Sequence, residues 1–370
     1  MKDVAVVGGG KIGSMIADML SDAYRVTVID RSQAQLDRLE TGAHVERRAL
    51  DIAEPVGLEA ELAGKFAVLS AAPFHLTTRI AQAAKTAGAH YLDLTEDVAS
   101  TRVVKQLAQD AGTAFIPQCG LAPGFITIVA NDLAARFDDL LDVRMRVGAL
   151  PKYPSNALNY NLTWSTDGVI NEYCEPCEAI VDGELRETPP LEELEAFALD
   201  GVAYEAFNTS GGLGTLCETL RGRVRNLNYR TIRYPGHAAI MKALLHDLGL
   251  RERRDVLKDI LEHALPATLQ DVVIVFVTVS GRKDGRLVQE TYANKIYAAP
   301  IGGRMRSAIQ ITTAAGICAV LDMLAAGDLP QCGFVRQEDI ALDRFLANRY
   351  GRRYAAEAAA QAPALRPAAA

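Results

Sequence analysis

The hydrophobic pattern changes period repeatedly along the first third of the chain. Strand-like runs occupy residues 4–7, 25–29, 44–50, 66–70, 90–94 and 113–117. Between them lie segments at helical spacing, beginning with Met15, Ile16, Met19 and Leu20 and recurring over residues 33–39, 56–62, 76–87 and 98–111. Strand and helix in alternation predict a parallel, doubly wound sheet of Rossmann type. Near Asp139 the rhythm changes. Strands are expected over 143–150, 202–207, 224–234, 271–280 and 287–297, and helices over 213–220, 237–248 and 254–264. Asp284-Gly285 marks a hairpin turn between the last two strands. This half therefore reads as an α+β domain with a mixed or antiparallel sheet.

The chain has 370 residues, and a single core rarely grows beyond roughly 250–300 residues, so two domains are expected. Residues 1–125, completed by 304–350, form the first; 126–303 form the second, expected to bind substrate and to dimerise; 355–370 is an Ala/Pro-rich tail, frayed or disordered. The apolar helix expected over 305–324 contains Gln310, Thr312, Thr313 and Asp322, which fits a helix packed back on the first domain better than a membrane span.

The chemistry begins at the first strand. It runs directly into Gly8, Gly10 and Gly13, a G-x-G-x-x-G, and a helical pattern follows at once. Gly8 permits the sharp turn, Gly10 lets a pyrophosphate approach the backbone, and Gly13 lets the helix pack on the strand. The helix start at Lys11 and Ile12 then offers N–H groups to phosphate. Asp30 ends the second strand, where an acidic side chain can take both ribose hydroxyls and repel a 2′-phosphate, so NAD is expected over NADP. Arg31 follows directly and pulls the other way, since it can pair with a 2′-phosphate. Asp51 ends the third strand and is either an adenine contact or a turn residue. Ala71, Ala72 and Pro73 end the fourth strand, and Gly120 follows the sixth; ligands bind beyond such strand ends.

Net charge is −7, which argues against nucleic acid as a partner. Hydrophobic content of 49% and charged content of 23% are ordinary for a globular chain and exclude wholesale disorder. The N-terminus reads as a strand with no secretory signal, and six irregularly spaced cysteines suggest a reducing, cytoplasmic setting. Cys174 and Cys177 invite a metal reading, but no second Cys or His pair stands near them, so no metal is expected. Cys119 reads as packing.

Three polar stretches of the second domain supply substrate groups: residues 161–168, 208–214 and 231–237. Thr209, Ser210 and Gly211 precede an expected helix, which is either an anion site or an ordinary cap. Arg233 offers a bidentate fork for a carboxylate, or is a salt-bridged strand end. His237 follows a turn in a polar cluster and is either a site residue or structural. Trp164, the single tryptophan, either walls a substrate chain or packs in the core.

The glycine fingerprint, with His90-Tyr-Leu-Asp-Leu-Thr95 and Gly120-Leu-Ala-Pro-Gly124, resembles the saccharopine dehydrogenase family. Residues 162–168 with Asn171-Glu-Tyr173, 205–212 and 233–237 resemble the branch that contains L-lysine 6-dehydrogenase. The resemblance runs from residue 1 to about 350. It implies oxidation of the ε-carbon of L-lysine by NAD, release of ammonia, and a semialdehyde that cyclises to 1-piperideine-6-carboxylate. It implies a homodimer through the second-domain sheet. A protonated ε-amine has no lone pair to stabilise the developing cation, so a group must take its proton. Asp93 and His237 are the candidates for proton handling, Glu96 for the substrate ammonium, and Arg233 with Thr209, Ser210 and Gly211 for its carboxylate. The alternatives are an NAD(P)H-dependent imine reductase of the saccharopine or carboxynorspermidine type, which Asp30 disfavours, another ω-amino-acid dehydrogenase, and a non-catalytic dinucleotide sensor.

Overall fold

A computed structural model describes residues 1–39, 44–53 and 57–355. The expected tail lies outside the described residues, apart from Ala355. The first sheet contains β1 (Asp3–Val7), β2 (Arg25–Asp30), β3 (Val45–Ala49), β4 (Ala67–Ser70), β5 (His90–Asp93) and β6 (Ala114–Ile116). All pairs are parallel, in the order β6-β5-β4-β1-β2-β3, with the short strand Gly333–Phe334 outside β6. This is the doubly wound order that reverses between β1 and β4, and it opens a crevice at their carboxyl ends.

The central strands are apolar without alternation because both faces are covered. Val4 and Val6 join one core with Ile16, Leu69 and Ile317; Ala5 and Val7 join another with Val68, Ile80 and Tyr91. The edge strand β3 instead carries exposed Glu46, Arg47 and Arg48, charges that discourage pairing with a further strand.

The second sheet is mixed. It contains β7 (Asp139–Pro151), β8 (Cys177–Val181), β9 (Glu184–Thr188), β10 (Glu195–Leu199), β11 (Val202–Asn208), β12 (Val224–Arg233), β13 (Asp271–Lys283) and β14 (Arg286–Tyr297). The main order is β10-β11-β12-β7-β13-β14, with β8 beside β12 and β9 beside β8. Only β12 and β7 pair in parallel; the other pairs run antiparallel. The hairpin turn has Asp284 at φ 51° and Gly285 at φ 72°, the positive values a two-residue turn requires.

Three strands, β8 to β10, and the helices Phe125–Ala134 and Thr166–Cys174 go beyond the sequence expectation. The expected helix over 237–248 divides into His237–Lys242 and a π-helical turn, Ala243–Asp247. The helix Ala308–Ala326 is long and apolar enough to cross a membrane by length and composition, yet it is buried almost throughout. It packs against both Lys11–Leu20 and β13. Asp271, the first residue of β13, accepts from the backbone N–H groups of Ala308 and Ile309, so a second-domain strand caps the helix that returns to the first domain.

Candidate active site

The sheet crevice opens into a cleft of about 1370 Å³ that extends onto the second domain. At its dinucleotide end Gly8 has φ 103°, and a Cβ there would lie 2.7 Å from the Ala71 carbonyl oxygen. A Cβ on Gly13 would lie 1.7 Å from the Gly8 carbonyl oxygen, so helix and turn touch only because no side chain intervenes. Gly10 is the opposite case, with open space above it. It precedes the helix Lys11–Leu20, whose N-terminus no side chain caps, leaving backbone donors free for phosphate. Asp30 accepts from the N–H of Gly9 at 2.7 Å and of Ser32 at 2.8 Å, which fixes its carboxylate beside the loop. Lys11, Ile12, Arg31, Asp51, Ala71, Ala72, Pro73 and Gly120 line the same cleft. Asp51 also accepts from Ala53 N–H at 2.9 Å, so it makes the turn whether or not it meets a ligand. Open space over Gly10, an uncapped helix start and an acid at the end of β2 fit a dinucleotide.

The other end of the cleft joins the two domains. Asp93, Glu96, Trp164, Glu172 and Arg233 line it. Asp93 is already engaged: Oδ1 accepts from Thr95 N–H at 3.0 Å and Gln118 N–H at 2.8 Å, and Oδ2 from the Tyr91 hydroxyl at 2.8 Å. Burial raises it to about 6 against these three donors. Its geometry is that of a residue holding the β5 and β6 loops together, not of a free proton acceptor.

Glu96 and Glu172 differ. Neither forms an ion pair, nor does either carboxylate receive a hydrogen bond from another residue, among the described residues. Burial raises Glu96 to about 7, with Asp97 and Asp93 adding to the rise. Burial raises Glu172 to about 8, opposed by Arg233 and reinforced by Glu96. Arg233 is buried. Its Nε donates to the Tyr173 hydroxyl at 2.9 Å and its Nη1 to the Ile232 carbonyl at 2.8 Å. Nη2 has no acceptor among the described residues. The guanidinium lies over the Tyr160 ring, 5.1 Å from its centroid.

His237 does not line this cleft, which corrects its expected part in proton handling. It is 1% exposed behind Tyr173. Its Nδ1 lies 2.9 Å from the Leu158 carbonyl, so Nδ1 carries the proton, and Nε2 accepts from the Tyr173 hydroxyl at 3.0 Å. Burial, helped by Arg233, lowers it to about 3. The result is a directed chain, Arg233 to Tyr173 to His237 to Leu158, that orients the guanidinium. The helix that starts at His237 is held by Glu205, which accepts from Gly236 N–H at 2.8 Å and Ala238 N–H at 2.7 Å.

Thr209, Ser210 and Gly211 are also off the cleft, which corrects the expected carboxylate site. They form its back wall: Ser210 N–H donates to the Glu172 carbonyl at 3.1 Å, and a Cβ on Gly211 would lie 2.7 Å from the Glu96 carbonyl oxygen. The helix beyond them, Leu216–Leu220, is one short turn whose cap residue, Thr215, donates instead to Glu338. Cys119 is buried against the Ile116 carbonyl and Gln337.

Glu172 and Tyr173 belong to this site without being among the expected site residues. Their one signal was the stretch Asn171-Glu-Tyr173, where nothing marks a Glu in a helical run as facing inward.

Residues 4–116 match the family described as the saccharopine dehydrogenase NADP binding domain, and residues 120–353 match the saccharopine dehydrogenase C-terminal domain. The chain is 24% identical over 277 residues to a saccharopine dehydrogenase [NADP(+), L-glutamate-forming] of Pyricularia oryzae, covering 72% of this chain and 61% of that one. It is 21% identical over 324 residues to the bovine mitochondrial alpha-aminoadipic semialdehyde synthase, covering 80% of this chain and 33% of that one. In structure it resembles the apo saccharopine dehydrogenase (L-Glu forming) of Saccharomyces cerevisiae, with TM-score 0.79, 17% identity and coverage of 94% and 97%. It also resembles a Legionella pneumophila homospermidine synthase in complex with NAD, with TM-score 0.67, 12% identity and coverage of 96% and 90%.

Proposed function

The chain belongs to the saccharopine dehydrogenase family and carries its NAD(P)-binding domain; from that premise we propose that it oxidises the ε-amine of L-lysine with NAD. The observation that supports this reading best is the charge balance at the inner end of the cleft. Among the described residues one guanidinium has an unused donor, at Arg233 Nη2, and two carboxylates, Glu96 and Glu172, lack partners. The other lining cation of the second domain, Arg254, is already paired with Glu175 at 2.7 Å. A ligand with one carboxylate and two ammonium groups complements that set, whereas a ligand with several carboxylates would leave all but one facing acid groups.

When bound, the oxidised nicotinamide supplies the acceptor for the hydrogen and electron pair that leave the substrate's ε-carbon. The chain binds and orients. Arg233, fixed through Tyr173, grips the carboxylate by its free Nη2. The glutamates counter the ammonium groups, and Trp164 covers the methylene chain. Hydrolysis of the resulting imine releases ammonia and leaves 2-aminoadipate 6-semialdehyde.

The preference for NAD rests on Asp30. Arg31 at the same end of the cleft, with the NADP named for the family domain and for its relatives, favours a second reading, reduction of an imine by NADPH. Purified protein with L-lysine at alkaline pH, with NAD and NADP in parallel, decides between them. Reduced dinucleotide with equimolar ammonia in the NAD sample supports the first reading. No signal with either dinucleotide, and consumption of NADPH with an imine of a larger amino acid, supports the second.

A further inference from the structure

Arg233, Glu172 and Glu96 line one cleft from two sides, the first two from the second domain and Glu96 from the dinucleotide-binding domain. Arg233 ends β12, and Glu172 lies on the helix Thr166–Cys174; both belong to the second domain, and each feels the other's charge. Glu96 stands just past the tip of β5, on the wall formed by Asp93, Leu94, Thr95 and Gly120. The Ser210–Gly211 backbone touches both glutamates, meeting Glu172 through a hydrogen bond and Glu96 by close packing. Glu172 is 7% exposed and lines the cleft.

This arrangement separates the two ammonium groups of the substrate. In an α-amino acid the carboxylate and the α-ammonium share one carbon, so the group beside Arg233 must meet the α-ammonium. The far amine is then carried toward the dinucleotide, where Glu96 waits. We propose that Glu172 seats the substrate's α-ammonium and that Glu96 accepts the proton lost by the far ammonium, so that the pair selects diamino monocarboxylic acids. The assignment rests on the reading under Proposed function.

The step balances. An N–H bond of the far ammonium breaks, and its proton forms the neutral acid of Glu96. The lone pair left on nitrogen becomes the second bond of C=N as the C–H bond breaks, its hydrogen and electron pair passing to the oxidised dinucleotide. Water then hydrolyses the imine, and Glu96 returns its proton to solvent. Burial makes Glu96 a stronger base than an exposed carboxylate, as an acceptor requires. Asp93 is committed to three donors, and His237 lies off the cleft.

Trp164 is the single tryptophan and lines the cleft, so its fluorescence reports binding in the full chain. L-lysine and 6-aminohexanoate, which lacks the α-amine, are titrated at pH 9 into wild type, Glu172→Gln and Glu96→Gln. Wild type should prefer lysine by about tenfold or more, the worth of a charge-assisted contact. Glu172→Gln should erase that preference without weakening 6-aminohexanoate binding. Glu96→Gln should keep the preference while kcat falls roughly 100-fold or more. A preference that survives in Glu172→Gln, or is missing from wild type, overturns the α-ammonium seat. Undiminished kcat in Glu96→Gln overturns the proton acceptor. Wild type that shows the binding pattern but reduces neither dinucleotide with lysine overturns the functional reading alone.

Discussion

Arg233 is the residue on which affinity for a carboxylate should turn. Two of its nitrogens are spent on Tyr173 and the Ile232 carbonyl, and among the described residues Nη2 has no acceptor and remains for a ligand. Lysine at this position keeps the charge but cannot serve Tyr173 and a ligand at once. Arg233→Lys should therefore raise KM for L-lysine roughly 10–100-fold, the loss of one or two charge-assisted hydrogen bonds, with a smaller change in kcat. Steady-state kinetics with NAD saturating checks this; an unchanged KM removes Arg233 from the site. Glu96 could be brought to the cleft from sequence because it stands just beyond a strand end, and topology fixes which end of a parallel sheet is open; Arg233 and Trp164 were legible only as members of polar stretches, at the end of a strand of the mixed sheet and in a loop before a helix. His237 could not be placed. Its neighbours Pro235 and Gly236 reveal a turn but not the direction the ring takes, and the ring turns inward because Tyr173 and the Leu158 carbonyl satisfy both nitrogens there.

The limit at the scale of elements is different. The parallel sheet was legible strand by strand, because burial on both faces leaves continuous apolar runs. The strands β8 to β10 were not, since each is only five residues long; β9 carries Glu184, Arg186 and Glu187 and is exposed along most of its length, and neither β9 nor β10 has a buried residue. The helix Thr166–Cys174 was hidden for another reason. It is nine residues long and opens with Thr, Asp and Gly, all poor or modest helix formers. Gly168 is there for close approach: a Cβ would lie 2.3 Å from Trp164 Cζ3 and 2.7 Å from Cη2. Alanine would gain up to about 1 kcal/mol of helix propensity but force the indole aside at a cost of about 1–3 kcal/mol. Gly168→Ala should thus be neutral to destabilising despite the better helix former, shift the Trp164 emission, and weaken lysine binding. Emission spectra and a lysine titration test this together; unaltered emission with full affinity would mean that the ring does not pack on that turn.

Across the whole molecule, two domains meet around buried acids, and this sets how stability responds to pH. Burial raises Asp93 to about 6, Glu96 to about 7 and Glu172 to about 8, while the same groups in an unfolded chain titrate near 4. Between those limits the native state holds protons that the unfolded state has released. By linkage, stability contributed by these groups is fully present below about pH 4 and is lost as pH rises through 6, 7 and 8. The charged neighbours act in both directions: Arg233 favours ionised Glu172, Glu96 opposes it, and Asp93 and Asp97 oppose ionised Glu96. A ligand carrying two ammonium groups counters the ionised pair, so it should restore at high pH what the empty site loses. The denaturation midpoint without ligand should therefore fall from pH 6 to pH 9. Glu172→Gln should flatten that fall, and the midpoint increase produced by saturating L-lysine should be larger at pH 9 than at pH 6. Denaturant titrations of wild type and Glu172→Gln at both pH values, with and without lysine, measure all three. A wild-type midpoint that rises with pH, or a lysine effect that is larger at pH 6, would mean that the glutamates are ionised and already compensated in the free protein, and that the charge balance assigned to the cleft is wrong.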